Sequence, residues 1–200
     1  MLKLYHAPRT RSLRILWLLE ELNLPYELES VEFVPQSTTF KQATPLGKLP
    51  VIEDGATVIG ESGAIIEYIL ERYGEGRLAP AIGDPLRGEF LQWIHFSEGT
   101  AYPPLGVIIY HTRYANDADR YPELMEDARQ RTHRGLDYFE QALRGKNYVL
   151  GAEFSAADIM MGFTLGAALE MGVLDARYTD LNRYFERLAS RPAFQKALAM

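Results

Sequence analysis

Two dipeptides, Leu49-Pro50 and Glu61-Ser62, and one polar run, YHAPRTRSLR over residues 5–14, hold the side chains best suited to chemistry. Proline has no N–H for a sheet ladder, so Pro50 belongs at the first position of a strand or on an edge. A cis bond there would turn the Leu49 backbone N–H and C=O outward, ready to pair with another peptide. Ser62 precedes an apolar run and reads as a helix N-cap, with neighbouring N–H groups that favour an anion. A peptide-sized ligand carrying a carboxylate suits both features. In the polar run, Thr10 and Ser12 offer hydroxyls, Tyr5 a phenol, and Arg9, Arg11 and Arg14 positive charge. Two readings of it stay open. Either Ser12 caps the following helix and the arginines are solvated, or a hydroxyl donates to an anion held at that helix N-terminus.

Other chemistries find little support. The chain has no cysteine, which excludes disulfides, thiolate metal sites and a cysteine nucleophile. His6, His95, His111 and His133 are scattered without HExxH or paired spacing, so no metal is expected. No GxSxG nucleophile elbow and no glycine-rich phosphate motif is present. The net charge of −6 is spread evenly, with 8 basic and 11 acidic residues over 1–80 and 13 and 16 over 81–200, which argues against binding a phosphate backbone. The aromatic run Trp93, Phe96, Tyr102, Tyr110, Tyr114 suits a helix core, and Tyr102 and Tyr110 are also candidates for a pocket wall. The N-terminal MLKLYHAPRTR has no apolar stretch of signal-peptide length, and no run approaches a membrane span. A cytoplasmic protein is expected.

The elements that must position these residues are legible from periodicity. Leu2–His6 is a short strand, and residues 12–22 form a helix apolar nearly all round, stopped by Asn23 and Pro25. Tyr26–Phe33 alternates as a second strand, implying a parallel pair with a right-handed crossover. Residues 34–48 are polar and irregular. Val51–Glu53 and Thr57–Ile59 flank Asp54-Gly55, a hairpin signal, and a helix over 62–73 ends at Gly74. Residues 74–85, GEGRLAPAIGDP, read as a linker. Beyond it the pattern is helical: from Pro85 through His111 with a disturbance at Pro103-Pro104, then 122–145, 155–171, 180–190 and 192–198. FSAADI at 154–159 carries a capping box, Ser155 with Asp158, and staple positions at Phe154 and Ile159. The expected fold class is α/β plus all-α, with domains over 1–76 and 86–200 joined by 77–85.

With these residues in place the chain resembles the cytosolic glutathione S-transferase family of bacterial type. A β-α-β-β-α half with Leu49-Pro50 and Glu61-Ser62 resembles that family's thioredoxin-like domain, and FSAADI in the sixth helix resembles its capping box. The resemblance covers essentially the whole chain. It implies that Leu49 pairs its backbone with the cysteinyl part of glutathione, that Pro50 is cis, and that Glu61 and Ser62 hold the γ-glutamyl amine and carboxylate. Lys48 falls where the family often contacts the glycine end. Glutathione is then the co-substrate, a small hydrophobic electrophile the partner substrate, with Tyr102 and Tyr110 at its site, and a homodimer the implied assembly, in which Glu98 approaches the neighbouring subunit. The expected activity is glutathione transfer in detoxification, with peroxide reduction through a glutathione disulfide as a side activity. Where this sequence has Arg11, some bacterial classes have their cysteine, so the activating group is sought in Ser12, then Thr10, with Arg11 as electrostatic support and Tyr5 as a further hydroxyl. A rival expectation is a non-catalytic binding or regulatory member of the fold, resembling the stringent starvation protein that binds RNA polymerase. A redox disulfide exchanger on this fold conflicts with the absence of cysteine.

Overall fold

The computed structural model describes residues 1–32 and 46–200. Phe33, the end of the expected second strand, and most of the irregular stretch after it lie outside the described residues. The first unit contains β1 (Leu2–His6), α1 (Ser12–Leu22), β2 (Tyr26–Ser30), β3 (Val51–Asp54), β4 (Thr57–Gly60) and α2 (Ser62–Tyr73). Its strands lie in the order β2-β1-β3-β4. β1 and β2 run parallel with Leu4 opposite Leu28, and β3 is antiparallel to both its neighbours, with Ile52 opposite Leu4 and Ile59. This is the expected thioredoxin-like arrangement. The hairpin closes at Gly55, whose φ of 63° suits a residue without Cβ.

α1 is buried from Ser12 through Leu19 and again at Leu22. Asn23, at φ 53°, turns the chain out of the helix while its N–H returns to the carbonyls of Leu19 and Glu20. The all-round apolar pattern is explained by partners on both sides. α1 meets β1 and α2 on one side and the C-terminal helix α8 (Pro192–Leu198) on the other. Trp17 and Phe194 meet edge to face at 4.7 Å, and Arg191 grips Glu21 with bonds of 2.6 and 2.7 Å. Residues Ala189–Met200 therefore group with Met1–Pro80, and the second unit is Ala81–Leu188. The sequence-based boundary placed all of 86–200 in one helical domain. The helical periodicity of 192–198 does not say which neighbour its apolar face covers.

The second unit contains α3 (Arg87–Phe96), α4 (Tyr102–Ile109), α5 (Pro122–Leu143), α6 (Ala156–Glu170) and all but the last residue of α7 (Thr179–Ala189). The expected disturbance at Pro103-Pro104 is a wide π turn over Ser97–Ala101, just before the two prolines remove the N–H groups that Gly99 and Thr100 would need. A second π turn spans Tyr110–Tyr114. The capping box between Ser155 and Asp158 is formed. Its carboxylate does more than cap. Oδ2 accepts from the Ser155 N–H at 2.8 Å and hydroxyl at 2.9 Å, while Oδ1 accepts from the Val149 N–H and the Tyr184 hydroxyl, both at 2.8 Å. Burial pushes the Asp158 carboxyl up, and the four donors pull it back towards the charged form.

An amide in place of this carboxylate has one oxygen for two fixed backbone N–H groups, one on each side. Asp158→Asn must therefore leave one of them facing an NH₂. The expected loss is about 3 kcal/mol, read as a fall in Tm of roughly 6–12 °C in thermal unfolding. An unchanged Tm would show that the cap carries no such strain.

Candidate glutathione site

The first unit carries a cleft of about 480 Å³. One wall is the approach to β3, with Lys48, Leu49 and Pro50; another is the mouth of α2, with Gly60, Glu61 and Ser62; Arg11 joins them from the start of α1. Leu46, Val51 and Val58 supply apolar lining. The Leu49-Pro50 bond is cis. Strand pairing of β3 begins at Val51, opposite Tyr5 and Gly60, so Leu49 precedes the ladder. Tyr5, Ala7, Leu49 and Val51 form a small buried cluster that fixes this corner.

At the α2 mouth the N-cap is Glu61, and Ser62 is the first helical residue, which corrects the assignment of the cap to Ser62. Glu61 has φ 64° and ψ 111°, a backbone region that strains any residue with a Cβ. Its carbonyl accepts the first intrahelical bond, from Ile65 at 2.9 Å. The Ser62 hydroxyl is not engaged in local capping, because it accepts from the buried guanidinium of Arg14, Nη1 to Oγ at 3.0 Å. With that lone pair filled, the Ser62 hydrogen is free to point elsewhere. The first N–H groups of α2 have no helical acceptor, so the mouth is suited to a carboxylate. The neighbouring Glu61 carboxylate suits an ammonium group.

The start of α1 holds the second cluster. Arg11 is the N-cap, and Ser12 opens the helix without a side-chain capping bond, which corrects the capping reading of Ser12. Ser12 has no exposed surface and Thr10 retains 8%. The Ser12 Oγ lies 2.7 Å from Thr10 Oγ1 and 2.8 Å from His6 Nδ1, and Thr10 Oγ1 donates to the Ala7 carbonyl at 2.8 Å. Both hydroxyls are buried behind Arg11, and neither lines the cleft; Thr10 keeps the larger remnant of exposed surface. Tyr5 is turned away. Its hydroxyl donates to Glu53 Oε1 at 2.6 Å, and that bond, with burial, pushes its pKa up.

Lys48, Leu49, Pro50, Glu61, Ser62 and Arg11 are therefore brought together on one cleft. Tyr102 and Tyr110 lie in the second unit. Tyr102 opens α4 with its ring 6.0 Å from Phe163, and Tyr110 is 56% exposed, edge-on to His111. Neither lines the first-unit cleft or the similar one formed in the second unit by Phe96, Pro103, Arg134 and Tyr138. Two buried residues carry weak sequence signals. Arg14 adds positive charge to the polar run, and only its helical register beside buried Ile15 and Leu18 points to the interior. His6 lacks metal-ligand spacing to the other histidines, but alternation with Leu2 and Leu4 puts it on one face of β1 with buried side chains.

A thioredoxin-like strand-and-helix unit with a cis-proline corner beside a helix mouth, followed in the chain by an all-helical unit, is the architecture of the glutathione S-transferase fold. Sequence comparison agrees. Residues 4–77 match the glutathione S-transferase N-terminal domain and residues 122–187 the C-terminal domain. Glutathione S-transferase 3 of Schizosaccharomyces pombe is 32% identical, over 96% of this chain and 85% of its own. The disulfide-bond oxidoreductase YfcG of Escherichia coli is 29% identical, over 99% of this chain and 94% of its own. A glutathione transferase family member from Pseudomonas fluorescens, crystallised with two glutathione bound, superposes with a TM-score of 0.86 at 25% identity, covering 98% of this chain and 92% of its own. The chain belongs to the glutathione S-transferase family.

The strained Glu61 backbone has a measurable signature. Glu61→Gly is expected to be more stable than Glu61→Ala by about 1 kcal/mol, because glycine enters positive φ without a Cβ clash. Chemical denaturation of the two variants checks this, and equal stabilities would remove the strain.

Proposed function

We propose that the protein is a glutathione transferase that binds glutathione in the first-unit cleft and activates its thiol for attack on a small hydrophobic electrophile. The observation that carries this is the sharing of one cleft by cis Leu49-Pro50, Glu61-Ser62, Lys48 and Arg11. The Leu49 backbone would pair with the cysteinyl residue in strand fashion. Ser62 and the α2 amides take the γ-glutamyl carboxylate, Glu61 the γ-glutamyl amine, and Lys48 the glycine carboxylate. Tyr102 and Tyr110 remain the candidates for contact with the second substrate. Family resemblance extends the proposal to a cytoplasmic homodimer serving detoxification.

Activation requires a thiolate at neutral pH from a thiol whose unperturbed pKa is about 8.5. Lowering it by about two units takes about 2.7 kcal/mol of preference for the anion. A helix N-terminus supplies about 0.3–1 kcal/mol and a hydrogen bond to the charged sulfur about 1.5–3. The α1 N-terminus, Arg11 and one hydroxyl together reach the target. Thr10 is the hydroxyl with residual exposure, and Ser12 stands behind it. The thiolate sulfur then bonds to the electrophilic carbon as the leaving group departs with its electron pair.

The kinship with YfcG favours a second reaction at the same site. Lack of cysteine removes a protein thiol from disulfide exchange but not bound glutathione. Its thiolate would attack a disulfide sulfur, break the S–S bond and release a thiolate. A non-catalytic binding protein is the remaining alternative.

Conjugation of glutathione to a dinitrobenzene-type electrophile, run beside hydroperoxide and disulfide reduction, separates these readings. Conjugation is expected. Retention on immobilised glutathione with none of the three activities would favour the binding protein. Ser62→Ala is expected to weaken glutathione binding by about tenfold or more in calorimetry, the loss of one hydrogen bond to a charged group. Equal affinity would remove Ser62 from the site.

A further inference from the structure

His6 is buried, 2% exposed, at the end of β1, and the proposed chemistry does not yet use it. Its place in the α1 cluster can be settled by counting protons. Thr10 Oγ1 lies 2.8 Å from the Ala7 carbonyl oxygen, which has no hydrogen to give, so the Thr10 hydroxyl must donate there. Thr10 Oγ1 and Ser12 Oγ are 2.7 Å apart and need one hydrogen between them. Since the Thr10 hydrogen is committed, Ser12 supplies it. Ser12 Oγ is then left with lone pairs facing His6 Nδ1 at 2.8 Å, so the imidazole must be the donor. Ser12 Oγ also lies 3.4 Å from the Ala7 carbonyl oxygen, but that oxygen already takes the Thr10 hydrogen at 2.8 Å and the Thr10–Ser12 contact of 2.7 Å needs the Ser12 hydrogen. The other two weaker contacts fit this order. The Ala7 N–H points at Ser12 Oγ and the Ser12 N–H at Thr10 Oγ1, each at 3.4 Å, giving both hydroxyls one donated and two accepted bonds. The reverse order, Thr10 to Ser12 to His6, would set the Thr10 and Ala7 oxygens 2.8 Å apart with no hydrogen between them.

We propose that His6 is a positioning residue whose Nδ1–H heads a one-way relay through the Ser12 and Thr10 hydroxyls, leaving Thr10 as the donor that can turn from the Ala7 carbonyl to a bound thiolate. This rests on the reading that glutathione binds with its sulfur beside Thr10. Burial lowers the His6 pKa, which keeps the ring neutral with a single N–H, and the relay requires that hydrogen on Nδ1. Donation into Ser12 and on into Thr10 polarises the last hydroxyl, so the Thr10 bond to an anion is stronger than that of an isolated hydroxyl. No proton leaves any group. The imidazole acts by fixing which way the hydrogens point.

The relay can be tested with and without ligand. In the free native protein, the ring nitrogen chemical shifts of His6 should report the Nδ1–H tautomer, and an Nε2–H tautomer overturns the proposal whether or not glutathione binds. With glutathione, His6→Leu should raise the bound thiol pKa by about one unit and lower kcat about threefold at pH 7, approaching tenfold at pH values below the native thiol pKa, with the KM for glutathione unchanged. His6→Asn, whose amide can place an N–H near Nδ1, should keep both within about twofold of native. Equal losses in His6→Leu and His6→Asn would give His6 a packing role only and overturn the relay. Should His6→Leu fail to fold, the tautomer and His6→Asn still decide. Thr10→Val separates the two levels. If it leaves the thiol pKa unchanged, the thiolate reading at Thr10 fails; if it raises the pKa while His6→Leu does not, the relay alone fails.

Discussion

The bond from Arg14 to Ser62 is the constraint on which the ligand-holding half of the first unit depends. A guanidinium with no exposed surface gives up a large hydration energy, which only fixed polar partners can offset. Arg14 sits in the first turn of α1 and Ser62 at the first position of α2, so one 3.0 Å bond ties together the N-terminal turns of two helices. Those turns carry the two sites of positive backbone potential that a ligand with a thiolate at one point and a carboxylate at another would need. Moving either turn would break that bond.

The other side of α1 is held as firmly, but by different means. Trp17 against Phe194 removes two aromatic surfaces from water, a larger contribution than most exposed ion pairs make. The Glu21–Arg191 pair is bidentate, and the Glu21 side chain is only 9% exposed, so it fixes orientation more than it adds energy. Glu20 does the same with Lys196 at 2.6 Å. The C-terminal helix thus completes the packing of the unit that begins the chain.

What the sequence revealed and what it withheld divides along one line. Features encoded by neighbours were legible: α1, the Asp54-Gly55 hairpin, the Ser155–Asp158 box, and the corner at Leu49-Pro50. Features decided by distant partners were not. Ser62 and Ser12 each look like N-caps, since serine is among the residues favoured at that position. In both, the hydroxyl is claimed by a side chain reached only through folding, Arg14 across 48 residues and His6 across the β1–α1 turn. Glutamate at 61 gives no hint of positive φ, because nothing in its side chain favours that region. Pro103-Pro104 announced a disturbance but not its form, as two missing donors can be accommodated by a kink or by a wider turn.

The two serines share a physical device. A hydroxyl has one hydrogen and two lone pairs, and on its own it rotates to whichever partner is nearest. Placing a buried donor against the oxygen removes that freedom: the lone pair is filled, and the hydrogen must be given elsewhere. Arg14 does this to Ser62 with a charged donor, which suits a hydroxyl meant for a carboxylate. His6 does it to Ser12 with a neutral one, which suits a hydroxyl that must pass its polarity on to Thr10 without placing a buried charge next to the sulfur. A cationic donor at position 6 would strengthen the anion further, but it would have to remain charged at a site where burial lowers the pKa of the residue already there. The neutral imidazole is therefore the stronger donor that this pocket can keep, and orientation rather than charge is what it contributes.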